Sequence, residues 1–142
     1  MRLSIIAIIL LFFSNWVHAA EVADKGFALF WQEFKQAVIN NDKVKIVSLT
    51  HFPFEVHGGD DSEAIKVLDK KGFINIYERL IVQAVYFPSG NEIVSKPLRE
   101  VIYESKEIPE SNVANVGNAR FQQFEFERRN GKWRFVRAFL EE

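Results

Sequence analysis

Two histidines and three carboxylates fall within one short stretch, HFPFEVHGGDD at positions 51 to 61. These are metal-ligand types, so zinc binding is the first chemistry to weigh. Phe52, Phe54 and Val56 alternate with His51, Pro53, Glu55 and His57, which is the period-two pattern of a β-strand. At about 3.3 Å per residue the histidines stand roughly 20 Å apart along such a strand. One zinc ion, with bonds of about 2.0–2.1 Å, cannot bridge them. Glu55 and His57, two residues apart on one face, are neighbours that could share an ion if Asp60 or Asp61 swung back to join them. Two ligands do not make a tight site. Glu55, His57 and Asp60 are therefore weak metal candidates, and the expectation is a polar strand face with no metal and no cofactor. Pro53 lacks an N–H, which suits an edge strand or a strand start.

Other site chemistries leave no trace in the residue types. There is no cysteine, hence no thiolate nucleophile. The chain has no Gly-rich phosphate loop, no G-x-S-x-G and no His-rich zinc signature.

The first residues, MRLSIIAIILLFFSNWVHA, place one cation, Arg2, ahead of an apolar run from Ile5 to Phe13, then a polar break and a small-residue ending. This is the layout of a secretory signal peptide, and the run is shorter than the roughly 20 residues that span a bilayer. Val17-His18-Ala19 fits signal peptidase, so residues 1–19 are expected to be removed, leaving 20–142 as a single periplasmic or secreted domain with no stable membrane anchor. The cut takes Arg2 and no acid, so 18 cations and 19 anions become 17 and 19, a formal charge of −2. That balance gives no electrostatic reason to bind nucleic acid or anionic lipid. Without disulfides such a domain must rely on its core, and the chain is long enough to bury one.

Several elements must position any site. Phe27, Phe30, Trp31, Phe34, Ala37 and Val38 form one helical stripe behind Asp24 as N-cap. Asn40-Asn41 can take the left-handed conformation that ends a helix, and Asp42 can cap a second one to about Leu49. The strand around Phe54 follows, then the loop GGDDSE and a returning strand at residues 64–68. Asp69 can cap a third helix with the stripe Phe73, Ile76, Tyr77, Leu80, Ile81 and Ala84, ending before a turn at FPSGN. For residues 92–104, Ser95 as cap with Pro97 in the first turn favours a short helix, while the β-branched residues favour a strand broken at the proline. The helix is preferred. SKEIPESN reads as a polar connection.

The chain closes with FQQFEFERRNGKWRFVRAFL, in which Asn130-Gly131 is a favoured pair for a type I′ turn. That turn sets Arg128 opposite Trp133, Glu127 opposite Arg134, Phe126 opposite Phe135 and Phe124 opposite Arg137. One face then carries Phe124, Phe126, Trp133, Phe135 and Phe139, with Arg137 among them. The other carries Glu125, Glu127 and Arg134, and turns apolar toward Phe121, Val136, Ala138 and Leu140.

This α+β order, helices first and a long hairpin last, resembles the cystatin-like α+β roll of the nuclear-transport-factor-like superfamily. The segments FWQEFKQAVINNDKVKIVSLTHFPFEV and FQQFEFERRNGKWRFVRAFL look like those of small secreted bacterial proteins. The resemblance implies N-terminal helices packed on a strongly bent antiparallel sheet, with a cone between them that in relatives binds small ligands, houses isomerase chemistry or is filled. In that cone Arg137 is the candidate to grip a ligand carboxylate, or else pairs with an internal acid or snorkels near the strand end. Tyr77 and Trp133 are accompanying candidates, the latter also as a cation–π partner of Arg128. An isomerase-like site would need an inward carboxylate and an acidic hydroxyl. Glu55 with Tyr77 or Tyr103 is the nominee, although no spacing selects the pair and Glu55 alternates away from the phenylalanines. The first expectation is small-ligand binding in the cone. The alternative is a protein-interaction module, inhibitor or immunity-like, using the hairpin's outer face, and the second alternative is an isomerase- or hydrolase-like enzyme. An apolar outer patch at Phe121, Val136 and Leu140 would need a cover, such as a homodimer formed through the sheet.

Overall fold

A computed structural model describes residues 25–106, 113–114 and 117–140. The signal segment, the Asp24 cap and most of the polar connection after Ser105 lie outside the described residues. Helix α1 (Lys25–Ile39) buries all six residues of its stripe. Asn41 has φ +52°, the left-handed conformation that closes the helix, and Asp42 accepts a 2.9 Å hydrogen bond from Lys45 N to start α2 (Lys43–Leu49). Strands β1 (Thr50–His57) and β2 (Lys66–Leu68) follow, then α3 (Lys70–Val82), capped by Asp69 at 2.8 Å from Gly72 N.

The next segment departs from expectation. Helix α3 stops at Val82, and Ala84 opens β3 (Ala84–Ser89), so Phe87 and Pro88 belong to a strand rather than a turn. The turn is Gly90-Asn91, with Gly90 at φ +63°, and β4 (Glu92–Pro97) pairs back along all of β3. A glycine at the first central position suits a type II′ hairpin. The two readings of residues 92–104 divide at Pro97: strand before it, helix α4 (Leu98–Glu104) after it, with Pro97 rather than Ser95 at the N-cap. A proline's fixed φ suits a helix start, and its missing N–H ends a ladder.

The chain finishes with β5 (Val113–Ala114), β6 (Asn118–Phe121), β7 (Phe124–Arg129) and β8 (Lys132–Phe139). Among the described residues the main sheet has the order β2-β1-β8-β7-β6-β5, and β3-β4 form a separate two-stranded sheet. The main sheet is mixed rather than antiparallel, because β1 runs parallel to β8. No tight turn joins those two strands, so none forces them to run in opposite directions. Nor is β1 an edge strand, since it lies between β2 and β8. Its proline is accommodated differently: pairing with β8 jumps from Thr50↔Phe135 to Glu55↔Arg137, and Pro53 falls in the unpaired interval.

Asn130 and Gly131 sit at φ +52° and +76°, the type I′ turn expected from their identities. The register expected from that turn holds as far as Phe126↔Phe135. There it shifts, so that Glu125 pairs with Arg137 and Phe124 with Ala138. Against β7 Val136 is the extra residue; it is unpaired against β1 as well, where the excess lies on β1 and residues 51–54 face it. A bulge of this kind bends the strand and inverts the facing of every residue beyond it.

The core lies between the helices and one face of the main sheet. Phe34 and Phe135 are fully buried, 5.2 Å apart between ring centres, and Phe135 also meets Phe54 at 4.7 Å and Phe124 at 4.6 Å. Centroid spacings of 4.5–7 Å are those that aromatic pairs prefer.

Candidate functional site

The bulge decides where Arg137 points. Instead of entering the phenylalanine cone it emerges on the opposite face of the sheet, beside the outward residues of β1 and β7. Arg137 Nε donates to Glu55 Oε2 at 2.7 Å, and its Nη1 donates to Glu125 Oε2 at 2.6 Å. Glu127 stands 3.8 Å from the same Nη1. One guanidinium thus holds three carboxylates drawn from two strands, and its side chain is only 23% exposed. The inward placement expected for Arg137 is corrected accordingly. Phe139 changes face too and lies half-buried beneath the Arg120 guanidinium, 4.5 Å from its ring centre.

His57 borders the cluster. Its Nε2 is 3.2 Å from Glu55 Oε2, and its ring is 5.2 Å from that of Phe139. Glu55 and His57 are therefore the neighbours their spacing implied. Asp60 is turned into its own loop, accepting from Ser62 N at 2.7 Å, and that backbone hydrogen bond keeps its carboxyl below the ordinary range. Among the described residues no group of three or more His, Cys, Asp or Glu could hold a metal ion.

The hydrogen bond from Arg137 holds the Glu55 carboxyl below the usual carboxylate range, against a smaller upward push from burial. Burial works against the charge on Arg137 and is outweighed by its bonds to Glu55 and Glu125, so its affinity for the proton is raised. Both shifts favour the ionised forms of Glu55 and Arg137, so this pair is a fixed pattern of charge at neutral pH. Beside it Asn118, Arg120, Glu125, Glu127 and Arg137 line a groove of about 190 Å³. Pockets for drug-sized ligands run from about 300 Å³ upward. This groove suits one or two side chains of a larger partner.

The other candidates belong to the interior. Trp133 is buried against Phe27 at 4.6 Å, with the Arg128 guanidinium 5.6 Å from its ring, which is the expected cation–π pair. Tyr77 is 1% exposed beside Phe73 at 5.8 Å, and burial pushes its phenol well above the ordinary range. Neither residue is near Arg137's cluster. Glu55 and Tyr77 lie on opposite sides of the sheet, and Tyr103 is exposed on α4, so the nominated acid–hydroxyl pair is not assembled. The expected apolar outer patch is also corrected. Phe121 packs inward on Trp31 at 4.8 Å, Leu140 joins the core, and Val136 is 4% exposed. The residues that reasoning from sequence missed as neighbours of Arg137 are Glu125, Glu127 and Arg120; Phe139 was expected beside it, on the opposite face. Only a signal for the bulge could have gathered them, and Phe-Val-Arg-Ala carries none.

These features define an α+β protein with helices on one face of a mixed sheet and a charged cluster on the other. The chain matches no protein-family model and no curated protein. No helix among the described residues is long and apolar enough to cross a membrane.

Proposed function

We propose that this protein is a periplasmic or secreted protein-interaction module that engages its partner through the outer face of the six-stranded sheet. The observation that carries this reading is the half-buried Arg137 cluster beside a groove too small for most organic ligands. Fixed charges of both signs next to an aromatic ring favour specificity and fast encounter with a partner of matching pattern. The cystatin-like roll is the architecture this reading adopts, supported by two leading helices, a closing hairpin and helices gathered on one sheet face. The extracytoplasmic address is supported by the Arg2, Ile5–Phe13 and Val17-His18-Ala19 layout.

A second reading, a small ligand in the cone, is favoured by one observation: Trp31 Nε1 and Tyr77 Oη are buried with no hydrogen-bond partner among the described residues. Native mass spectrometry of protein purified from its own cell envelope separates the two. The interaction reading expects a stoichiometric protein partner that is released by salt and lost in Arg120→Glu. A reproducible small-molecule adduct, with no protein partner that responds to Arg120→Glu, would replace it with the cone reading.

A further inference from the structure

The β3-β4 hairpin carries a second interaction surface, separate from the Arg137 cluster. Cross-strand partners share a face, so Tyr86 with Ser95 and Pro88 with Ile93 point away from the core side that holds Val85. Tyr86 is 66% exposed and Ile93 77%. Among the described residues this sheet has two strands and hence two open edges. A lone two-stranded ribbon is marginal in water, and an open edge is a template for further pairing.

The two edges are not equivalent. In a two-residue hairpin the residues flanking the turn form a hydrogen-bonded pair, and the pairs alternate from there. With Ser89↔Glu92 next to the turn, the outward-pointing backbone groups belong to Tyr86 and Pro88 on β3 and to Ile93 and Ser95 on β4. Pro88 has no N–H to offer, and Gln123 Nε2 already donates to Ala84 O at 3.4 Å, so the β3 edge is closed to a regular ladder. Ile93 and Ser95 keep both outward groups, and the edge ends at Pro97.

The sequence EIVSKP of β4 fits itself. If two copies run antiparallel about a two-fold axis at Val94, Ile93 of each lies opposite Ser95 of the other. Those are the two positions whose amides and carbonyls point outward, so each pair exchanges two hydrogen bonds. In the same register Glu92 lies opposite Lys96 of the other copy, a contact of opposite charges made twice, in which Glu92 shares Lys96 with the Glu100 and Glu104 that hold it within its own chain at 3.2 and 2.6 Å. The geometry points to a second copy of this chain as the occupant of the β4 edge, extending two strands to four and continuing the exposed apolar face of Tyr86 and Ile93 across the axis.

Sedimentation equilibrium of the intact protein over a range of concentrations, with amide hydrogen exchange on the same samples, tests this. The expected result is a monomer–dimer equilibrium in which the Ile93 and Ser95 amides gain protection as concentration rises. Val94, whose backbone groups face β3, should not respond. Glu92→Lys opposes like charges twice and should weaken the dimer about threefold at low salt, Lys96 being shared with Glu100 and Glu104. Glu92 is exposed at the hairpin tip, and the far-ultraviolet circular dichroism of the variant confirms that it has folded. A chain that stays monomeric at all concentrations, a dimer that leaves Ile93 and Ser95 exchanging freely, or one that Glu92→Lys does not weaken would overturn the proposal.

Discussion

Among the hairpins that two-residue turns close in the described residues, β3-β4 and β7-β8 behave in opposite ways. The β3-β4 hairpin is regular over six consecutive pairs and stands apart, with Tyr86 and Ile93 exposed. The β7-β8 hairpin is broken by a bulge, yet it lies inside the main sheet with Phe124, Phe126 and Phe135 fully buried. The difference shows that turn chemistry rules the ladder only near the turn. Once a strand has partners on both sides and a helical layer to pack on, burial decides the register, and one unpaired residue is a tolerable cost. In the closing hairpin that residue is Val136, and its consequence is Arg137 among carboxylates rather than among phenylalanines.

The largest effect expected from this contrast is in packing. Phe135→Ala should destabilise the fold by about 3–5 kcal/mol, because it opens a cavity among the buried rings of Phe34, Phe54, Phe124 and Phe126. Tyr86→Ala should stay within about 0.5 kcal/mol for the monomer, as an exposed substitution. Urea unfolding of both variants would check this, and similar costs would erase the distinction between the hairpins.

Next in size is the charge cluster. Arg137→Met leaves Glu55, Glu125 and Glu127 facing one another without their shared cation, and should cost about 1–3 kcal/mol at neutral pH. Simple exposed pairs contribute about 0–1 kcal/mol, so a loss in the upper range would mark the cluster as partly buried in energy as well as in area. The sign of its pH dependence follows from the lowered carboxyl of Glu55. Its contribution is present above the unfolded value of about 4.3 and fades as pH falls through the folded one. The gap between wild type and Arg137→Met, read from urea midpoints across the acid range, should therefore shrink on acidification.

Smallest are the turns. A Cβ at either Gly90 or Gly131 would meet nothing within 4 Å, so alanine there pays only for a positive φ, about 1 kcal/mol. In Gly131→Ala that loss should appear in global stability. In Gly90→Ala it should appear as faster amide exchange confined to residues 84–97, because this hairpin pairs with no strand of the main sheet and is tied to the core mainly by Val85 and Phe87.

The legible parts of the fold share one property: they are set by residues close together in sequence. Asp42 and Asp69 as caps, Asn41 as a helix stop, Asn130-Gly131 as a turn and the aromatic stripes of α1 and α3 all fall in this class. The β3-β4 hairpin was hidden because Ala84 continues the stripe of α3 and Phe87-Pro88 looks like the start of a turn, whereas the turn lies at Gly90-Asn91. The parallel pairing of β1 with β8 joins residues some 80 positions apart, as the Glu55 to Arg137 bond does, and no local pattern encodes it. The candidate site is legible in part of its membership, without Glu125, Glu127 and Arg120, and not in its address. Glu55, His57 and Arg137 were each noted from sequence, but their meeting depends on one unpaired valine in a run whose alternation suggests none.

The most direct test of that placement is a carbon-13 NMR titration of the Glu55 side-chain carboxyl in wild type and in Arg137→Met. If Arg137 holds the outer-face cluster, Glu55 titrates below the ordinary carboxylate range in wild type and moves back up in the variant, while the resonances of Phe34 and Phe126 stay where they were. A Glu55 that titrates alike in both proteins, with the phenylalanine resonances shifting instead, would return Arg137 to the cone and contradict the account.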